Sequence, residues 1–153
     1  MIRIESLASR PEWVRVLAHW HFAEWHGLYP GWTAEAAEEE LGQHTDPERI
    51  PTTLVAVEGI EPVGSVSVVE RDLPGWDHLS PWLASLFVRP EFRHRGIGKL
   101  LVSQAVAKAR HIGCEALYLF TPGQQEFYAA LDWQVIAQAV AAAEPVSIMS
   151  KRL

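Results

Sequence analysis

The turn Arg93-His94-Arg95-Gly96-Ile97-Gly98-Lys99 constrains the fold of this chain more than any other stretch. It follows an apolar run, Trp82 to Val88, that Pro90 stops, and it opens the clearest helical pattern in the sequence, Gly96 to Ile112. Within that pattern Ile97, Leu101, Val102, Ala105, Val106, Ala109 and Ile112 form one apolar stripe, while Lys99, Ser103, Lys108 and His111 fall elsewhere. Gly113 ends it. A strand, a glycine turn and an amphipathic helix in succession place the chain among folds that mix helices with a sheet. The first amides of a helix lack partners and carry partial positive charge. Glycines let that backbone approach an anion closely, and Arg93, Arg95 and Lys99 add full charges. The turn reads as a seat for a pyrophosphate, and also as a tight helix entry with solvated basic side chains. It is not a P-loop, because the Gly-x-x-x-x-Gly-Lys-Ser/Thr spacing is absent. It is not a dinucleotide fingerprint either, because Leu101 stands where a third glycine belongs.

Periodicity supplies the remaining elements. Met1 to Glu5 alternates apolar and charged residues and reads as a strand. Ser9 with Glu12 fits a capping box, predicting a helix from there to about His26 with Trp13, Leu17 and Trp20 on one face. Gly27 to Gly31 breaks it, and Thr33 caps a second helix through Glu40 that Gly42 ends. Thr53 to Val57 reads as a strand, Glu58-Gly59 as a turn, and Val63 to Glu70 as the antiparallel partner, with Val66 and Val68 on one face. After a loop from Arg71 to Pro81 come the strand, turn and helix already described. Ala116 to Phe120 is then a strand, Gln124 to Ala130 a helix, and Trp133 to Val140 with Pro145 to Ser150 a closing hairpin. Repeats and linkers are absent, so residues 1–153 read as one α/β domain with a mixed sheet.

Composition narrows the partners. The 153 residues are 48% hydrophobic, enough for one sizeable core. A net charge of −6 offers no basic field for nucleic acid or an anionic membrane. It suits a cationic partner, or serves solubility alone. Cys114 is the single cysteine, which excludes an intrachain disulfide and a Cys-x-x-Cys metal site. No window reaches the roughly 18 apolar residues of a membrane span, and a cytoplasmic protein is expected. Among the histidines, His19 and His21 stand two apart in a helical stretch and do not share a face, so no metal site is expected there.

The segment Arg93-His94-Arg95-Gly96-Ile97-Gly98 resembles the Arg/Gln-x-x-Gly-x-Gly/Ala signature of the GCN5-related N-acetyltransferases (GNAT). The likeness extends from about Trp82 to Trp133, where Phe127-Tyr128-Ala129-Ala130-Leu131-Asp132-Trp133 is similar to the family's Phe-Tyr-x-x-x-Gly-Phe segment. Asp132 replaces the glycine that ends a helix in a left-handed turn. The resemblance implies a single-domain GNAT-like α+β fold, its mixed, mostly antiparallel sheet flanked by helices. It implies an acyltransferase that moves an acetyl group from acetyl-CoA, without metal, to a primary amine of a small molecule by direct attack. A protein or peptide amino group, or a non-catalytic acyl-CoA-binding module of the same fold, are the alternatives, and a homodimer stays open.

By the same resemblance, backbone amides of Leu86, Phe87 and Val88 meet the acetyl carbonyl and pantetheine. Those of Arg93, His94, Arg95, Gly96, Ile97, Gly98 and Lys99 meet the pyrophosphate. Tyr128 matches a tyrosine that protonates the leaving thiolate; a buried core tyrosine is the other role such a residue fills. Glu70, at the end of the strand before the cofactor strand, is the first candidate for general base, with Asp72, His78 and Ser85 as competitors. The first two helices of the family wall the acceptor site. Here Trp20, Glu24, Trp25, Tyr29 and Trp32 supply aromatic rings and a carboxylate that suit an organic cation, although large aromatics on amphipathic helices are mostly core.

Overall fold

The computed structural model describes all 153 residues. Strand β1 (Ile2–Ser6) is followed by helices α1 (Val14–Trp25) and α2 (Ala34–Gly42), then by strands β2 (Thr52–Glu58), β3 (Glu61–Val69) and β4 (Trp82–Val88). Helix α3 (Ile97–Ile112), strand β5 (Ala116–Thr121), the short helix α4 (Gln125–Ala129) and the hairpin β6 (Gln134–Ala141) and β7 (Glu144–Arg152) complete the chain. The strands form one sheet in the order β1-β2-β3-β4-β5-β7-β6. Every neighbouring pair is antiparallel except β4 and β5, which are parallel. The element order and the mostly antiparallel sheet agree with the expectation from sequence.

Alternation along β2 and β3 sorts the two faces. Leu54, Ala56, Val66 and Val68 pack under α3, whose Leu101, Val102, Ala105 and Ala109 are all but inaccessible. Each such leucine contributes about 1.5–3 kcal/mol by leaving water. Val55 and Val57 face the other way, against Leu17 and Ala18 of α1 and Leu41 of α2. On that second face β3 offers serines instead of valines, because Ser65 and Ser67 pair with Val55 and Thr53. Asp132 takes φ 69°, the left-handed turn its position demands.

The start of the first helix differs from the capping-box reading. Arg10 breaks helical geometry at φ −138°, ψ 63°, and its guanidinium binds Glu5 at 3.0 Å. Glu12 leans toward Arg10 rather than returning to Ser9, whose hydroxyl donates to the Ser6 carbonyl. Two short 3-10 turns therefore precede α1, the first capped by Ser6. Gly42 lies inside α2 and does not end it; right-handed Gln43 is the cap.

Candidate active site

Two irregularities in β4 open the sheet. Ala84 pairs with Ser67 and Phe87 with Ser65, so Ser85 and Leu86 together face Val66 alone. That extra residue is a β-bulge, and Ser85 adopts φ 55° to make it. The second irregularity concerns β5, which meets β4 in a single register pair, Trp82 with Tyr118. Beyond that pair the strands part. The Arg89 amide donates to Val63 on the β3 side. Strand alternation then turns the N–H and C=O of Val88 toward the gap, where Arg93 Nε reaches the Val88 carbonyl at 2.8 Å. The far edge of β4 is thus a row of backbone groups without a partner strand.

At the end of β4 the chain enters the glycine turn. His94 and Gly96 both adopt left-handed backbone, φ 63° and φ 79°. Gly96 caps α3, and no protein atom lies within 4 Å of where its Cβ would stand. A Cβ on Gly98 would touch Phe127 and Val88 only at ordinary distances, 3.8 and 4.0 Å. Packing therefore does not require glycine at 98, and the space in front of the α3 amides is open. Arg93, His94, Arg95 and Lys99 are exposed, whereas Ile97 is buried in the core and has only its amide to offer. Arg95 is partly engaged by Glu58 at 3.3 Å, and the Arg93 guanidinium lies 5.6 Å from the centre of the Phe87 ring.

The parted strands lead into a cleft of ≈ 700 Å³ between the sheet, α1, α2 and the β6–β7 turn. Tyr128 lines it, with its ring held between Phe127 and Trp133 at 5.0 and 6.0 Å. Burial pushes its phenol up to about 12, so the hydroxyl keeps its proton at neutral pH. Asp72 also lines the cleft, and burial raises its carboxyl to about 7. Glu70 does not reach the lining: β3 ends at Val69 and the Glu70 side chain is exposed. His78 is exposed and stacks on Trp76, also outside the cleft, whereas Ser85 lies on its wall. Of the aromatic candidates, Trp25, Tyr29 and Trp32 line the cleft. Trp20 instead stacks on Phe87 with ring centres 5.5 Å apart, and Glu24 is exposed to solvent away from the lining.

Residues 15–133 match the acetyltransferase (GNAT) family. The chain belongs to that family. Among curated proteins no sequence matches it. An aminoglycoside 6'-N-acetyltransferase complexed with coenzyme A superposes with a TM-score of 0.77 at 18% identity, over 98% of this chain and 96% of its own. An acetyltransferase of the GNAT family from Streptococcus pneumoniae gives 0.73 at 17%, over 100% of both chains. Arabidopsis thaliana NAA60 in complex with a bisubstrate analogue gives 0.71 at 14%, over 100% of this chain and 99% of its own. At such identities the likeness is one of fold, and it matches the sheet described above. No helix of this acetyltransferase is long and apolar enough to cross a membrane.

Sequence reasoning passed over the polar floor of this acetyltransferase's cleft. His44 Nδ1 lies 2.6 Å from Thr53 Oγ1, which lies 2.7 Å from Ser67 Oγ; His21 Nε2 lies 3.3 Å from Ser65 Oγ. All five side chains are buried, and His21, His44 and Ser67 face the cleft. Burial lowers both imidazoles, His21 to about 4, so they are neutral at pH 7. The available signal was the alternation Val-Ser-Val in β3: a buried strand with hydroxyls on one face needs polar partners above it.

Proposed function

We propose that this acetyltransferase transfers an acetyl group from acetyl-CoA to a primary amine of a small molecule by direct attack. The observation that carries the reading is a buried, protonated tyrosine facing an open cleft at the place where β4 parts from β5. Acetyl-CoA fits the groups available. The left-handed Gly96 entry and the free α3 amides suit a pyrophosphate, and the unpartnered β4 edge from Leu86 to Val88 suits the amide-bearing pantetheine arm. When bound, acetyl-CoA supplies an acetyl group activated as a thioester.

The chain's own residues then have three tasks. The β4 amides orient the carbonyl and donate to its oxygen as negative charge grows there. Tyr128 donates its proton toward the leaving sulfur. Before attack a carboxylate takes a proton from the acceptor's ammonium, which at the ordinary alkylamine pKa of about 10.4 would otherwise lack a free lone pair; the nitrogen sheds a second proton to water as the C–S bond breaks and the amide forms. Asp72 suits this task better than Glu70, because it lies on the cleft wall and its carboxyl titrates near neutrality. The enclosure of the cleft by α1, α2 and the β6–β7 turn favours a small acceptor over a protein chain. Thiol release from acetyl-CoA with a panel of small amines and amino-terminal peptides tests the reading. Turnover of peptides alone would move the acceptor to proteins, and binding of acetyl-CoA with no turnover of any amine would reduce the chain to an acyl-CoA-binding module.

A further inference from the structure

The charges around the cleft are lopsided. Glu40 from α2, Asp72 from the loop after β3 and Glu144 from the start of β7 line it, against Arg71 as the one full cation. Elsewhere on the molecule basic side chains pair with acids: Arg3 and Arg10 hold Glu5, Arg89 bridges Glu61 and Glu91, and Arg95 meets Glu58. None of the three cleft carboxylates has such a partner within the chain. Asp72 is the costliest to leave alone, since it is half-buried and no cation pairs with it. Tyr29 shares the cleft lining with Asp72, and its phenol is pushed up by burial and then by the Asp72 charge. Tyr29 meets Trp32 edge to face at 6.0 Å, forming an aromatic corner on the same wall. The two imidazoles of the floor are neutral and contribute no opposing charge.

A single ammonium engages one carboxylate, here Asp72 as it gives up its proton. The aromatic corner and the two lip carboxylates, Glu40 and Glu144, are left with nothing to bind. We infer that the acceptor of this cleft carries a second positive charge: it is a diamine or polyamine, with one amine acetylated and another held between Tyr29, Trp32 and the lip carboxylates. This rests on the small-amine reading above and narrows it. Aromatic faces and carboxylates without a partner cation both favour ammonium groups over neutral ones.

The test compares linear diamines with alkyl monoamines and amino alcohols of equal chain length, at fixed ionic strength, with acetyl-CoA saturating. The expected kcat/KM for the diamine exceeds that of its monoamine by at least about tenfold, equivalent to about 1.4 kcal/mol. The Glu40→Gln, Glu144→Gln double variant should cut that ratio several-fold, and raised salt should do so in part. Glu24→Gln, whose carboxyl lies outside the lining, should leave the ratio unchanged. Calorimetry of the diamine binding to protein saturated with coenzyme A gives a second readout without turnover. Equal kcat/KM for diamine and monoamine, or a ratio insensitive to the double variant, overturns the inference while the small-amine reading stands. If no amine of the panel is acetylated although acetyl-CoA binds, both fall.

Discussion

The turn from Val88 to Lys99 and the cleft sit side by side in this acetyltransferase but are built in different ways. The turn draws what it offers an anion from one continuous stretch, and mostly from backbone: the left-handed His94 and Gly96, the free amides of α3, and the Val88 edge of β4. The cleft collects side chains from α1, α2, β3 and its following loop, α4 and the β6–β7 turn. A backbone site tolerates changes of side chain and fails when the chain path or its open space is altered. A side-chain site behaves in the opposite way. It keeps its shape through many backbone adjustments and loses its chemistry with single atoms.

The largest effect tests whether the cleft depends on single atoms. Tyr128→Phe removes one hydroxyl and leaves the ring between Phe127 and Trp133, so kcat should fall by roughly 10² to 10⁴ with the Kd for acetyl-CoA unchanged. A kcat near wild type would make Tyr128 a packing residue and remove the sharpest contrast with the turn.

Asp72→Asn comes next. A carboxyl that titrates near 7 is a competent base only above that value, so the wild-type kcat/KM should climb with pH through about 7 and level off. The variant should be slower by about 10² at the plateau and should lose that limb, regaining rate only where free amine becomes abundant. A variant that retains the limb would exclude Asp72 as its source.

On the other side of the comparison, Gly96→Asp puts a side chain and a negative charge into the open space before α3. Acetyl-CoA affinity should weaken at least about tenfold by calorimetry, or about 1.4 kcal/mol, in protein whose circular dichroism is native. Unchanged affinity would mean that the anion seat lies elsewhere. The smallest expected effect is that of Glu70→Gln. Its exposed side chain stands outside the lining, and rates should stay within about twofold of wild type, as is usual for surface changes of under about 0.5 kcal/mol. A large loss that recovers at high pH would return the proton-accepting role to Glu70.

The same contrast explains what could be read from the sequence. The turn, the helix behind it and the Phe127-Tyr128 segment are local patterns, and the strand and helix order followed from period alone. The bulge at Ser85 and the separation of β4 from β5 were not legible, because pairing partners are set by tertiary register and not by composition. Glu70 and Asp72 differ by two positions along the chain, yet one faces water and the other the cleft; where a strand stops decides between them. His44 carried no sequence signal of its own and acquired a role only because α2 ends above Thr53 and Ser67. Trp20 and Trp25 belong to the same helix and both meet Phe87, yet only Trp25 reaches the cleft lining.

The parting of β4 and β5 also bears on how the molecule holds together. Four strands on one side and three on the other each carry full ladders, and a single register pair, Trp82 with Tyr118, joins the two leaves across the sheet. A molecule lodged in the seam would complete hydrogen bonds that the chain leaves open, much as an inserted strand would. Occupancy at about 100 times Kd adds roughly 2.7 kcal/mol to the folded state. In native-state hydrogen exchange the slowing should then be concentrated at the Val88 amide and along β5, the signature of a bound molecule acting as the spine of the sheet.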